Sequence, residues 1–244
     1  MNRPNNDDWR FEYKYRLSAQ QYYQVRSAIS PYVRRDEYTL RRENKRYTVR
    51  SIYFDTPDLR ALQEKINGDC DRTKLRIRTY ASTEEAGSDI RVELKARKGI
   101  TVEKRNTFIT IDMYHAFLQT RHWPETADPV LIEFERYIHL KNLKPIILIE
   151  YFREGYVAST QKDLRITFDH NVRSAASSAL FPCDPFFRSI HRNMVTFEIK
   201  CNKSQPAWLL DMVKQQGLRI VANSKFAQGV QISRPEIVVP SWSY

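Results

Sequence analysis

The sequence predicts an α+β fold: an eight-stranded antiparallel β-barrel with helices packed outside, in a single domain over residues 1–244 with its core at about 10–231. Three observations lead there. Five segments alternate charged and apolar residues with a period of two, which is the signature of a strand with unlike faces. Three further segments have strand length and composition. The helical stretches between them are few and short.

In chain order, Glu12, Lys14 and Arg16, with Arg10 before them, alternate with Phe11, Tyr13, Tyr15 and Leu17. Ser18 followed by Gln21 is a capping box that opens a helix to about residue 28. A strand is expected at 49–54, then a helix at 58–67 stopped by Gly68. Lys74, Arg76 and Arg78 form the next charged face, and Arg91, Glu93, Lys95 and Arg97 the one after. A strand at 101–108, helices at 112–119 and 129–140, and a strand at 145–153 follow. Arg165, Thr167 and Asp169, then Thr196, Glu198 and Lys200, complete the alternating set, and a helix is expected at 206–216. One charged face is ordinary for an antiparallel sheet with one side in water. Five, dominated by Arg and Lys, repel one another unless they share an anion. Closing the sheet brings alternate side chains into one lumen.

Charge agrees with that reading. Forty Lys and Arg against 29 Asp and Glu give a formal charge of +11, which favours anionic partners. An aromatic content of 12% separates the chain from disordered basic tails. There is no run of about 18 apolar residues, and residues 1–8 lack an apolar leader core, so a cytoplasmic chain is expected. Cys70, Cys183 and Cys201 are odd in number without metal-like spacing and are expected to be reduced. None of the six glycines falls in a phosphate-loop motif, so phosphate would be held by side chains. The histidines at 115, 122, 139, 170 and 191 form no i, i+4 pair, and a histidine-based zinc site is not expected. A cation-lined lumen with a few carboxylates suits a phosphate chain and a divalent metal.

Several segments together resemble a known family. They are Ser51-Ile-Tyr-Phe-Asp-Thr-Pro-Asp58, Lys74-Leu-Arg-Ile-Arg-Thr-Tyr80, Val92-Glu-Leu-Lys95, Glu150-Tyr-Phe-Arg153, Arg165-Ile-Thr-Phe-Asp169, Phe197-Glu-Ile-Lys200 and Ser224-Lys-Phe226. Their order is similar to that of the VTC (vacuolar transporter chaperone) polyphosphate-polymerase domain of the triphosphate tunnel, or CYTH-like, superfamily. The resemblance implies a tunnel in which Lys14, Arg76, Arg78, Lys95 and Lys104 on early strands, and Tyr151, Arg153 and Arg165 on later ones, contact phosphate. It implies Glu198 as ligand of Mn²⁺ or Mg²⁺, and Ser224 and Lys225 as a pair near the tunnel mouth. The register of Lys104 is open, because Arg105 has the opposite parity. Where hydrolytic relatives open with E-x-E-x-K, this chain has Arg10, Glu12 and Lys14, which fits the polymerase branch better.

The expected activity is a metal-dependent phosphotransferase moving the ATP γ-phosphate onto polyphosphate. Arg76, Arg78, Arg153 and Arg165 would stabilise the transferring group, and Lys14, Lys95, Lys200 and Lys225 would guide the chain. A triphosphatase and a non-catalytic polyphosphate-binding module are the alternatives. Nucleic acid is not expected, since few aromatics interleave with the cations. A separate membrane partner is expected from the family's eukaryotic assemblies. Glu12 and Glu93 read equally as internal salt-bridge partners or metal ligands, and Tyr151 as core or phosphate contact. Asp169 is a candidate second ligand. Glu150 is expected to face outward, Asp55 and Asp58 to serve turns and caps, and the pairs Arg34-Arg35 and Arg41-Arg42 to lie in a solvated loop that could help feed the anion.

Overall fold

A computed structural model describes residues 11–84, 89–99, 101–161, 163–202 and 204–235. The strands are β1 (Phe11–Ser18), β2 (Val33–Arg35), β3 (Tyr47–Asp55), β4 (Arg72–Thr79), β5 (Ile90–Lys98), β6 (Thr101–Ile109), β7 (Lys144–Ala158), β8 (Arg165–Ala176), β9 (Arg188–Ser189) and β10 (Met194–Cys201). The helices are α1 (Ala19–Ile29), α2 (Glu37–Leu40), α3 (Arg60–Asn67), α4 (Ile111–Thr120), α5 (Pro129–Leu140), α6 (Ala207–Gln215) and α7 (Lys225–Ser233). All eight expected strands are present. The short β2 and β9, and the helices α2 and α7, are additions.

The chain gathers into two compact units, one of residues 1–47, 151–171 and 191–223, the other of 48–150, 172–190 and 224–244. In the first, β1 pairs antiparallel with β10 and β10 with β8, so that Lys14 stands opposite Glu198 and Glu198 opposite Thr167. The alternate residues Tyr15, Leu17, Phe168, Phe197 and Ile199 form the other face. They pack with Tyr22, Val25 and Ile29 of α1 and Leu209 and Met212 of α6. The capping box at Ser18 and Gln21 starts α1 as expected.

In the second unit β3, β4, β5 and β6 pair antiparallel in sequence order. Their apolar face, with Ile52, Phe54, Leu75, Ile77, Val92 and Leu94, packs on Tyr114 and Phe117 of α4 and Leu131, Phe134 and Ile138 of α5. Each fully buried side chain of this size contributes roughly 1.5–3 kcal/mol. Asp128 caps α5, and Pro129 occupies its first turn, where a missing N–H costs nothing.

The strand path ends at β1 and at β6, each paired on one side only among the described residues, so the pairing is not a closed ring. Helix α3 begins two residues later than expected. Leu59 at its N-cap is left-handed (φ 56°) and gives no side-chain bond. Instead, Asp55 accepts from the N–H groups of Ala61 (2.8 Å) and Leu62 (3.1 Å). Asp58 is left to an exposed pair with Arg60 at 2.9 Å. Glu150 takes the face opposite Tyr151 and Arg153, as expected, and is buried there. It has the parity of Leu148, which lies in the second unit's core, and it accepts from Arg50 Nε at 2.6 Å and Arg173 Nε at 2.9 Å. Arg10 lies outside the described residues. No helix among them is long and apolar enough to cross a membrane.

Candidate functional site

The sequence-predicted residues form two clusters, one in each unit. In the first unit, the β1-β10-β8 register puts Glu12, Lys200 and Arg165 in one cross-strand row and Lys14, Glu198 and Thr167 in the next. Glu198 is buried, and three cations surround it: Arg153 Nη2 at 3.5 Å, Lys200 Nζ at 3.7 Å and Lys14 Nζ at 4.0 Å. Lys200 also meets Glu12 at 3.3 Å, and Lys14 donates to the Asn223 carbonyl at 3.3 Å. Burial lowers the Lys200 pKa from the ordinary lysine value, against the pull of Glu198 and Glu12.

Arg153 is forked onto Asp169, with Nε–Oδ1 at 2.6 Å and Nη2–Oδ2 at 2.8 Å. Burial works against its charge, but Asp169, Tyr151 and Glu198 outweigh it and raise the pKa. The Tyr151 ring is buried under the Arg153 guanidinium, 5.2 Å from its centroid. Asp169 is thus the anchor of Arg153. Arg165 turns to Asp36 at 2.9 Å and Tyr47 Oη at 3.4 Å.

The donors beside Glu198 suit a hard cation, which takes oxygen ligands. Thr167, its cross-strand partner, has a buried Oγ1 with no hydrogen-bond partner. Asn223 donates Nδ2–H to Thr196 Oγ1 at 3.1 Å, while its buried Oδ1 has no partner. Thr167 Oγ1 and the Glu198 carboxylate are thus oxygen donors at paired positions on β8 and β10.

The second unit carries the cation excess. Lys74, Lys95 and Lys104 form one cross-strand row, followed by Tyr53, Arg76, Glu93 and Asn106, then Ser51, Arg78, Arg91 and Phe108. The described residues of these rows include six cations and one carboxylate, Glu93, which meets three of them. Arg76 Nε donates to it at 2.9 Å, Lys104 lies at 3.4 Å and Arg78 at 3.9 Å. Burial alone would raise the Glu93 pKa, but Arg76, Arg78 and Lys104 together hold it far below the carboxylate range. Burial pushes Lys104 and Lys74 down to about 8. Tyr53 accepts from Arg76 Nη1 at 2.9 Å; despite burial, Arg76 and Arg78 bring its phenol down to about 8. The register puts Lys104, rather than Arg105, in line with Lys95, and Arg105 pairs with exposed Glu103 at 3.1 Å.

Ser224 caps α7, accepting from the Ala227 N–H at 3.4 Å, and Lys225 is the first residue of that helix. Phe226 beside it contacts the Tyr53 ring at 5.4 Å, and Lys74 Nζ lies 5.3 Å from its centroid. Sequence reasoning did not single out Tyr53, Ser51, Lys74, Thr167 or Asn223 as site residues. Lys74 and Thr167 carried a signal, since each shares strand parity with a selected cation on its own strand, whereas Tyr53 and Ser51 lie on β3, which holds none. Asn223 carried none, because it lies outside any strand.

A candidate adenylate cyclase of Bacillus halodurans has a similar structure at 15% identity and a TM-score of 0.53, covering 88% of this chain and 94% of the other. A protein of Pyrococcus horikoshii OT3 gives 15% identity and 0.47, covering 90% and 97%. A candidate adenylate cyclase of Vibrio parahaemolyticus gives 12% and 0.46, covering 94% and 97%. At such identity, the first of these likenesses is one of fold. No curated protein matches the chain. The model of the VTC domain matches residues 9–234, nearly the whole chain, and the chain therefore belongs to the VTC domain family.

Proposed function

We propose that this chain is a metal-dependent phosphotransferase of the polyphosphate-polymerase type, which moves the γ-phosphate of ATP onto a polyphosphate chain. The observation that carries the reading is the row of Lys74, Lys95 and Lys104 beside Arg76, Arg78 and Arg91, six cations at neighbouring positions on one strand face. Like charges directly opposite on a sheet are destabilising. A phosphate chain relieves that repulsion, and arginine forks match phosphate oxygens. Membership of the VTC domain family supports the same substrate class.

In the reaction, a terminal oxygen of the acceptor chain attacks the γ-phosphorus. A new P–O bond forms there as the bond to the β,γ-bridging oxygen breaks, and ADP leaves. Phosphoryl transfer asks a protein mainly for positioning and charge neutralisation. Arg76, Arg78 and Arg153 supply fixed positive charge, while Lys14, Lys95, Lys200 and Lys225 hold the chain. Arg165 takes part after exchanging Asp36 for phosphate. Glu198, with Thr167 across the strand pair, would hold a divalent ion, Mn²⁺ or Mg²⁺, which would add charge neutralisation.

The test is to incubate the purified protein with γ-labelled ATP and Mn²⁺, with and without a short polyphosphate primer, then resolve products by gel and measure orthophosphate. A ladder of long chains that is lost in R76A and E198Q is expected. Orthophosphate without a ladder would move the assignment to a triphosphatase, and tight triphosphate binding with neither product would leave a binding module.

A further inference from the structure

Three further side chains of the second unit, none of them in a cation cluster, converge at the end of α4 and along α5. The ligand atoms of His122, Glu135 and His139 all lie within 4.8 Å of one another. Glu135 and His139 are four residues apart on α5 and so share a helix face. His122 arrives from the turn after α4. Spacing hid this arrangement, because the histidine pair is 17 residues apart in sequence and is made by the α4–α5 turn.

Groups behind the three side chains orient them. His139 donates Nε2–H to the Arg121 carbonyl at 3.1 Å, which leaves Nδ1 with its lone pair. Arg121 ends α4 in the left-handed conformation (φ 63°). Glu135 accepts the Trp123 N–H on Oε2 at 2.7 Å and meets His122 Nδ1 through Oε1 at 2.8 Å. Trp123 itself is buried and stacked on Phe117 at 4.0 Å, so the turn that carries His122 is anchored in the core. The two imidazoles lie face to face with centroids 4.6 Å apart. Outer hydrogen bonds of this kind fix ligand orientation in metal sites.

We infer that His122, Glu135 and His139 form a binding site for a first-row divalent cation of the Zn²⁺ type, separate from the phosphate chemistry. Two imidazole nitrogens and one carboxylate oxygen suit Zn²⁺, whereas Mg²⁺ and Mn²⁺ prefer oxygen. Ligand atoms on one tetrahedral Zn²⁺ stand roughly 3.3 Å apart. The His122 Nδ1–Glu135 Oε1 separation is already near that, and rotation of the exposed histidines closes the rest. The His122 Nδ1 proton is displaced to solvent, and water completes the coordination. Such an ion ties the α4–α5 turn to α5.

The test titrates Zn²⁺ into the full chain, with thiols alkylated, by calorimetry, and follows the melting temperature in parallel. Wild type and E198Q are expected to bind one Zn²⁺ at this site and to melt higher with it. H122A and H139A, both changes at exposed positions, are expected to lose that ion and the thermal shift while melting like wild type without metal. An H122A/H139A variant that keeps the same stoichiometry and the same shift would overturn the inference. So would a wild type that binds Zn²⁺ only in competition with Mn²⁺ at Glu198.

Discussion

Asp169 holds Arg153 in a buried two-point fork, and Arg153 in turn places its second nitrogen 3.5 Å from Glu198. The fork fixes an arginine that touches the Glu198 carboxylate.

Removing one partner of a buried pair leaves the other charge uncompensated, which costs about 3–5 kcal/mol. D169N is therefore expected to lower unfolding free energy by about that much in urea titration. A volume-matched apolar pair at 153 and 169 is expected to recover most of the stability, and under the proposed function it would support no chain synthesis. If D169N melts like wild type, the fork does not anchor Arg153.

The strands and their parity were legible because period two survives in a single sequence: Lys74, Arg76 and Arg78 needed no partner to be placed on one face. Register was not, since pairing decides it, and only Lys95 opposite Lys104 separates Lys104 from Arg105. Glu150 takes the face its parity predicted, but parity does not report whether other elements bury that face. Its burial depends on Arg50 and Arg173, which come from β3 and β8. Helix α7 escaped because its start resembled a binding pair, although Ser224 is also an ordinary N-cap. The non-local partners Asp36 for Arg165 and Asp169 for Arg153 follow from tertiary structure alone.

Gly155 is required by close approach. A Cβ built there would stand 2.0 Å from Asp36 Oδ2 and 2.5 Å from its Cγ. The Asp36 side chain also caps α2 through the Thr39 N–H (2.9 Å) and pairs with Arg165. G155A is expected to destabilise the fold by about 1–3 kcal/mol through overpacking and to shift the Asp36 and Arg165 signals in NMR spectra. Unchanged spectra would refute this.

Glu154 governs acid stability. It accepts from Tyr22 Oη at 2.7 Å, Arg46 Nε at 2.8 Å and Tyr156 Oη at 3.0 Å, with His170 Nε2 also 3.0 Å away. Burial opposes its charge, but His170, Tyr22 and Arg46 together bring its pKa down to about 2 from 4.5. The folded pKa lies below the unfolded one. The contribution is thus fully present above pH 4.5 and is lost as pH falls to about 2, an effect of about 3 kcal/mol. E154Q is expected to be less stable at neutral pH and to show a flatter stability profile across that acid window.

The lysine row gives a pH test of phosphate-chain binding. Burial brings Lys74 and Lys104 down to about 8 from 10.5, so both begin to lose their protons just above neutrality. For the free protein the sign runs toward stability at high pH: the unfolded chain holds these protons up to 10.5, and between 8 and 10.5 stability rises. For binding the sign is opposite. A polyanion favours the charged lysines and raises their pKa, so affinity is greatest below 8 and falls as pH rises through it, by up to about tenfold per pH unit for each lysine. Calorimetry with polyphosphate near pH 8 in two buffers of different ionisation enthalpy should register proton uptake. In K74A/K104A that uptake should vanish and the affinity lose its steep alkaline decline. Equal proton uptake in wild type and variant would show that these lysines do not meet the phosphate chain.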